Sequence, residues 1–291
     1  MKLKLRTPYE FAEEAFRRLF ADEAVPLAGN IAFRTLFSVF PFLIFLTALA
    51  GFFGNEALAE TVVIFLLSVA PEQLVRPLSS EIHSILTVPR SGLLSLAAIL
   101  TIWSAMAGVD SIRVGLNRAY DLKEQRSWYR LQFLSIIFII GAAAALLAVS
   151  VLLVFAPLAL AGLARYAPSF GQSVAAYDFL RFPIAIALLT LGLQLCHLFL
   201  PAVRQPNLVV LPGVLVTVAV WVVLTSAFSF YLVNFNSFAS TYASLSGPFA
   251  AMFFLYLAAL VLILGGEVNR VLQVHLNRRP GSRGSGPSAN P

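Results

Sequence analysis

Charge is scarce in this chain of 291 residues. Only 12% of them are Asp, Glu, Lys or Arg, against about 25% in an ordinary soluble domain, so no extensive solvated surface can be built. Cysteine is nearly absent. Cys196 stands alone, which excludes a disulfide framework or a cysteine metal site within one chain. Histidine is limited to His83, His197 and His275, with no HExxH pattern, no Gly-rich phosphate loop and no nucleophile–base set. No catalytic residue, metal ligand or cofactor is therefore assigned. RNA cleavage is not expected either, because no acidic cluster offers to hold paired metals.

What the chain has in excess is apolar, 59% of all residues, and it comes in blocks. A bilayer core of about 30 Å needs roughly 20 consecutive apolar residues per helix. Six blocks meet that need: residues 31–53, 92–109, 133–160, 182–200, 208–232 and 249–271. Lipid offers no partner to a backbone N–H or C=O, and the alternating pattern of a barrel strand is missing, so each block must be a helix. The fold class is an all-α integral membrane protein, a bundle of six transmembrane helices.

Around this membrane domain, residues 31–276, the sequence places two flanking pieces. Residues 1–30 form a cytoplasmic amphipathic segment. Phe11, Ala15, Phe16 and Leu19 share one side and Glu13, Glu14, Arg17 and Arg18 the other, which reads as a helix lying on the membrane and not as a cleaved leader. Residues 277–291 (NRRPGSRGSGPSANP) lack any apolar periodicity and read as a disordered tail.

The formal net charge of +6 does not point to nucleic acid, because the basic residues flank the spans, where Lys and Arg set orientation. Six spans put the Arg113–Arg130 cluster, Arg204 and both termini on one side and leave Arg76, Arg90, Arg165 and Arg181 on the other. That side is the cytoplasm. A seventh span at residues 61–70, only about ten residues, would break this asymmetry. Residues 55–90 are therefore expected outside, as short helices capping the bundle, with 61–70 as a buried or re-entrant element.

Several polar groups are candidates for a pathway. Asn30, Arg34 and Ser38 recur every four residues and make one stripe on the first span. Such a stripe is a seam between helices or the lining of a hydrated cavity, although Arg34 could also snorkel to headgroups. Asp110, Arg113, Asn117 and Tyr120 share a helical face after the second span. That face suits a solvated helix extension or an anionic headgroup. Tyr231 and Tyr242 flank or lie in a charge-free loop, VNFNSFASTYASLS, that suits an aromatic belt or a re-entrant element. Glu267 and Asn269 follow the small pair Gly265 and Gly266, where helices can approach closely. Glu267 is expected to pair with Arg34 across the bundle, or with Arg270 at i,i+3.

Taken together, AFRTLFSVFPFLIFL (32–46), LLSLAAILTIWSAMAGVDSIRVGLNRAYD (93–121), LPGVLVTVAVWVV (211–223), YLVNFNSFASTYASLSG (231–247) and LILGGEVNR (262–270) resemble the YihY/BrkB family of bacterial inner-membrane proteins. The order of the segments carries the resemblance. It marks Ser38, Pro41, Asn117, Tyr120, Pro212, Gly213, Tyr231, Tyr242, Glu267 and Asn269. Gly265-Gly266 stands where the family more often reads Gly-Ala. The resemblance implies a multi-pass protein of the bacterial inner membrane, described as a transporter or efflux-related protein without an established substrate. An older family label, ribonuclease BN, finds no support in these residues.

The expected function is transport of a small or lipid-like substrate, with membrane lipids as the surrounding partner and no nucleic acid. A non-transporting scaffold or regulator is the main alternative, and an intramembrane enzyme the third. Transport calls for water-accessible polar residues within the spans; a scaffold calls for packed and dry ones. The orientation is open to a direct check in a Cys196→Ser background. Cysteines at Glu72 and Ser240 should react with an impermeant thiol reagent added outside intact cells, and one at Gln125 should not. The reverse pattern would overturn the topology.

Overall fold

The computed structural model describes residues 8–52, 91–157, 171–234 and 246–277. Among them are seven α-helices and no strand: α1 (Pro8–Ala21), α2 (Ala24–Phe52), α3 (Ser91–Ala119), α4 (Trp128–Ser150), α5 (Gly171–Phe199), α6 (Asn207–Asn234) and α7 (Ser246–Asn277). Helices α2 to α7 are each long and apolar enough to cross a membrane, and the chain is a multi-pass membrane protein. The 61–70 stretch, Tyr242 and the tail lie outside the described residues.

Helix ends depart from the apolar blocks in an instructive way. The second span's block stops at Val109, yet α3 continues through DSIRVGLNRA to Ala119, because a helix need not end where the bilayer does. The first span likewise starts at Ala24. Only the turn at Asp22 and Glu23, with Glu23 in the left-handed region at φ 58°, separates it from α1.

Prolines interrupt α2, α5 and α6 at Pro41, Pro183 and Pro212 without ending them, as neighbouring groups in a membrane bundle allow. Helix α4 runs into a π turn, Val151–Phe155. There the carbonyl of Leu152 accepts a bond from the Tyr177 hydroxyl of α5.

The helices adjoin in chain order from α2 to α7, and α7 returns against α2, with α7 also touching α3 across the ring. Burial within this ring is uneven. It concentrates where α2, α4 and α6 begin and α3, α5 and α7 end: Ala28, Ile31, Leu116, Tyr120, Leu198, Val210, Val214 and Ile263 are all buried there. Ile112 packs against all three apolar clusters of that end. In α4 Ser135 is the one buried residue among those described, and Ile136, Ile137, Ile140, Leu146 and Leu147 are exposed around its circumference.

Helix α1 is not simply laid on lipid. Ala15 and Leu19 are buried, with α7 as the main neighbour of the helix, and Phe11 meets His275 edge-on at 5.3 Å. Phe16 and Phe20, paired at 5.0 Å, remain exposed. The apolar side read from the sequence is thus divided, half against the protein and half outward.

The tightest contact joins α6 to α7. A Cβ on Gly213 would fall on the carbonyl oxygen of Gly265, and one on Gly265 would fall on Thr217 Oγ1. Both glycines are required by this close approach and not by their own dihedrals. Gly213→Val should therefore abolish folded protein, read as loss of a monodisperse peak on size exclusion. Gly141→Ala, where a Cβ meets nothing within 4 Å, should leave that peak unchanged.

Candidate polar site at the packed end of the bundle

Within the packed end, polar side chains from four helices form one chain of hydrogen bonds. Asn269 on α7 accepts the Gly213 N–H at its Oδ1 (2.7 Å) and donates from Nδ2 to the Tyr120 hydroxyl (2.9 Å). The Tyr120 oxygen lies 3.0 Å from His197 Nδ1. A phenol oxygen can accept twice as well as donate, so either the Tyr120 hydroxyl or the imidazole supplies this hydrogen, according to the His197 tautomer. Nε2 is buried without a partner. Tyr120, His197 and Asn269 are almost fully buried, and burial pushes the Tyr120 phenol well above its usual range. Thr217 completes the chain by donating to the Gly213 carbonyl at 3.0 Å.

A second, half-exposed group closes the same end from outside. The connection after α3 carries Glu124, which accepts from Arg126 Nη2 (2.7 Å) and Nε (2.8 Å) and from Asn117 Nδ2 (3.1 Å). Arg126 also donates to the carbonyls of Phe199 and Leu200, satisfying the end of α5 as a basic group at a helix C-terminus does. Asn117 accepts the Ala202 N–H at 2.6 Å. Arg113 pairs with Asp110 and lies 3.9 Å from Glu124.

Arg126 bonded to Glu124 holds that carboxyl down at about 2; burial opposes this, and the Arg126 backbone amide and Asn117 add to it. A depressed carboxyl stabilises the fold fully above its ordinary value of 4.5 and ceases to as pH falls toward about 2. Wild-type protein should therefore lose thermal stability in that window. Glu124→Gln should start less stable at neutral pH and lose less across it, as a melting series against pH would read.

Glu267 stands apart from both groups. It is fully buried, and neither carboxylate oxygen has a hydrogen-bond partner. The charged groups that act on it are Asp22, Arg18 and Arg270. The expected pair with Arg34 is not formed: Arg34 donates to Asn30 Oδ1 at 3.0 Å and to the Ala107 carbonyl at 3.2 Å. Ile31 and Ile263 meet at one level beside Gly115, and from there Arg34 lies three residues deeper on α2 while Glu267 lies four residues toward the packed end on α7, roughly 10 Å apart along the axes at 1.5 Å per residue. Arg270 does not close on Glu267 either. Its Nη2 lies 3.5 Å from Asp121 and its Nη1 3.4 Å from Gln273.

Of the sequence candidates, Asp110, Arg113, Asn117, Tyr120, Glu267 and Asn269 gather at this end. Asn30 and Arg34 belong to the α2–α3 seam, and Ser38 bonds to the Thr35 carbonyl of its own helix. Tyr231 lies near the far end of α6, beside Phe228. The sequence reading missed Glu124, Thr217 and the engagement of His197. Proximity of Glu124 to Arg126 was the available signal for the first; one imidazole in an apolar run gave none for the last.

Comparison with known proteins bears on the same segments. The family described as Virulence factor BrkB matches residues 15–289. The chain is 29% identical over 266 residues to the Bacillus subtilis (strain 168) protein named Putative ribonuclease-like protein YfkH, covering 90% of this chain and 94% of that one. No solved structure matches. A match that runs from α1 through all six spans and includes every helix of the polar site places this chain in the BrkB family.

Proposed function

We propose that this protein is a transporter of a small or lipid-like substrate in a bacterial inner membrane, with both termini and the polar site on the cytoplasmic side. The observation that carries the reading is the uneven ring. Among the described residues, polar bonds tie α3, α5, α6 and α7 together at one end, while α4 buries only Ser135. Closure of one end by such bonds is the form expected of a pathway shut on that side. Arg34, half-buried within the first span and held by amide and carbonyl oxygens, adds an intramembrane charge of the kind that marks such pathways.

A scaffold is favoured by a different observation, the dryness of the Asn269–Tyr120–His197 chain, whose members pack and bond to one another. An enzymatic reading has less behind it. The ribonuclease-like name belongs to YfkH, and among the described residues no group of three or more His, Cys, Asp or Glu could hold a metal ion. His197 is enclosed and His275 meets Phe11 edge-on.

Water in the middle of the spans separates the first two readings. Cysteines at Ser38 and Thr101, in a Cys196→Ser background, should be labelled by an impermeant thiol reagent from the side opposite the polar site if a pathway exists. Both staying unlabelled from either side, while an exposed control such as Gln125 labels, would favour the scaffold.

A further inference from the structure

One sector of the packed end carries cations without counterions. After Glu124 the sequence holds only two acidic side chains, Asp178 and Glu267. Glu267 is buried, and Asp178 belongs near the start of α5, at the opposite end. Glu124 itself is taken by Arg126, Asp110 pairs with Arg113, and Asp121 lies against Arg270. Lys123, Arg130 and Arg204 are exposed and are left without a carboxylate partner among the described residues.

Phe199 ties the two connections that carry them. Arg204 lies over its ring at 5.0 Å, and Arg126 donates to its carbonyl at 3.3 Å, with Lys123 three residues before Arg126 and Arg130 four after it. The same place is the edge of the bilayer, because the span of α5 ends at Phe199 while those of α4 and α6 begin at Trp128 and Asn207. Trp128 and Tyr129, crossed edge-on at 5.1 Å, are exposed there, as aromatic rings at headgroup level are. Below them Phe133, Ile136 and Ile140 are exposed along α4, an apolar path deep enough for acyl chains. The helical face that the sequence offered to a headgroup is occupied instead, since Asn117 and Tyr120 are buried and bonded within the protein.

We propose that the α3–α4 and α5–α6 connections together bind the headgroup of an anionic phospholipid, with Lys123, Arg130 and Arg204 as its counter-charges and Trp128 and Tyr129 against its glycerol and upper chains. Basic side chains at a membrane surface attract acidic lipid in general. Here two connections bonded to each other through Arg126 hold the charges at one place, with no free acid among them, so that one headgroup is bound in preference to its neighbours. The site stands whether the protein is a transporter or a scaffold.

Full-length protein reconstituted in nanodiscs of equal phosphatidylglycerol and phosphatidylcholine, then released for native mass spectrometry, reads which lipid stays bound. Wild type should retain phosphatidylglycerol over phosphatidylcholine. Each Lys or Arg near an acidic surface counts for about fivefold in occupancy, so Arg130→Gln alone should lower the retained phosphatidylglycerol roughly fivefold. Lys123→Gln, Arg130→Gln and Arg204→Gln combined should abolish the preference. Arg278→Gln, Arg279→Gln and Arg283→Gln combined remove the same charge from the tail and should leave it intact. Equal retention of both lipids by wild type overturns the proposal, as does a tail variant that loses as much as the first combination. Displacement of the lipid by soluble glycerol phosphate at matching concentration would assign the site to phosphate alone and overturn it as well. Should the first combination fail to give a monodisperse peak on size exclusion, Arg130→Gln decides, and retention equal to wild type counts against the site.

Discussion

One amide side chain governs the packed end of this protein. Helices α6 and α7 cross where Gly213 faces Gly265, so near that no side chain fits between them. At such a distance a side chain of one helix reaches the backbone of the other. Asn269 uses both ends of its amide, accepting from Gly213 and donating to Tyr120. Apolar packing could hold the two helices together without setting their register. The amide instead fixes their register and extends the contact to α3 and, through Tyr120, to α5.

The consequence is a bundle with one firm end. All three apolar clusters form around the polar chain and share Ile112. Helix α4 adds little beyond Ser135 and is joined to α5 at its far end through the Leu152 carbonyl and Tyr177. In water such a helix would be unstable on its surroundings. In a bilayer its exposed isoleucines and leucines cost nothing, because lipid is as apolar as they are. The exposure of α4 is thus permitted by the solvent, while tightness at the packed end is imposed by the polar groups.

How much of this could be read from the residues follows from the same physics. Spans were legible because each must satisfy its backbone alone, which makes length and apolarity sufficient. Their ends were less so: α2 begins seven residues before its apolar block and α3 outlasts its own by ten, since polar residues continue a helix freely once outside the hydrocarbon. Asn117, Tyr120, Glu267 and Asn269 stood out by spacing and family pattern. Glu124 looked like one more solvated charge, and His197 like a packed residue, which it is, but with a bond to Tyr120 that only the fold supplies.

The failed pairing of Arg34 with Glu267 has a more specific lesson. Topology gave each residue a side of the membrane, but depth depends on where the helix starts, and azimuth on its rotation. On α7, Glu267 and Asn269 are two residues apart and so point about 200° apart. Asn269 shares its face with Gly265 and Leu262 toward α6, whereas Glu267 follows Ile263, whose cluster includes Leu19, Ala24 and Ala28. The helix therefore presents a satisfied polar group to one neighbour and an unsatisfied one to the other. Family resemblance marked both residues alike. Their surroundings differ in kind: the Asn269 amide is bonded at both ends, and the Glu267 carboxylate is buried with neither oxygen hydrogen-bonded.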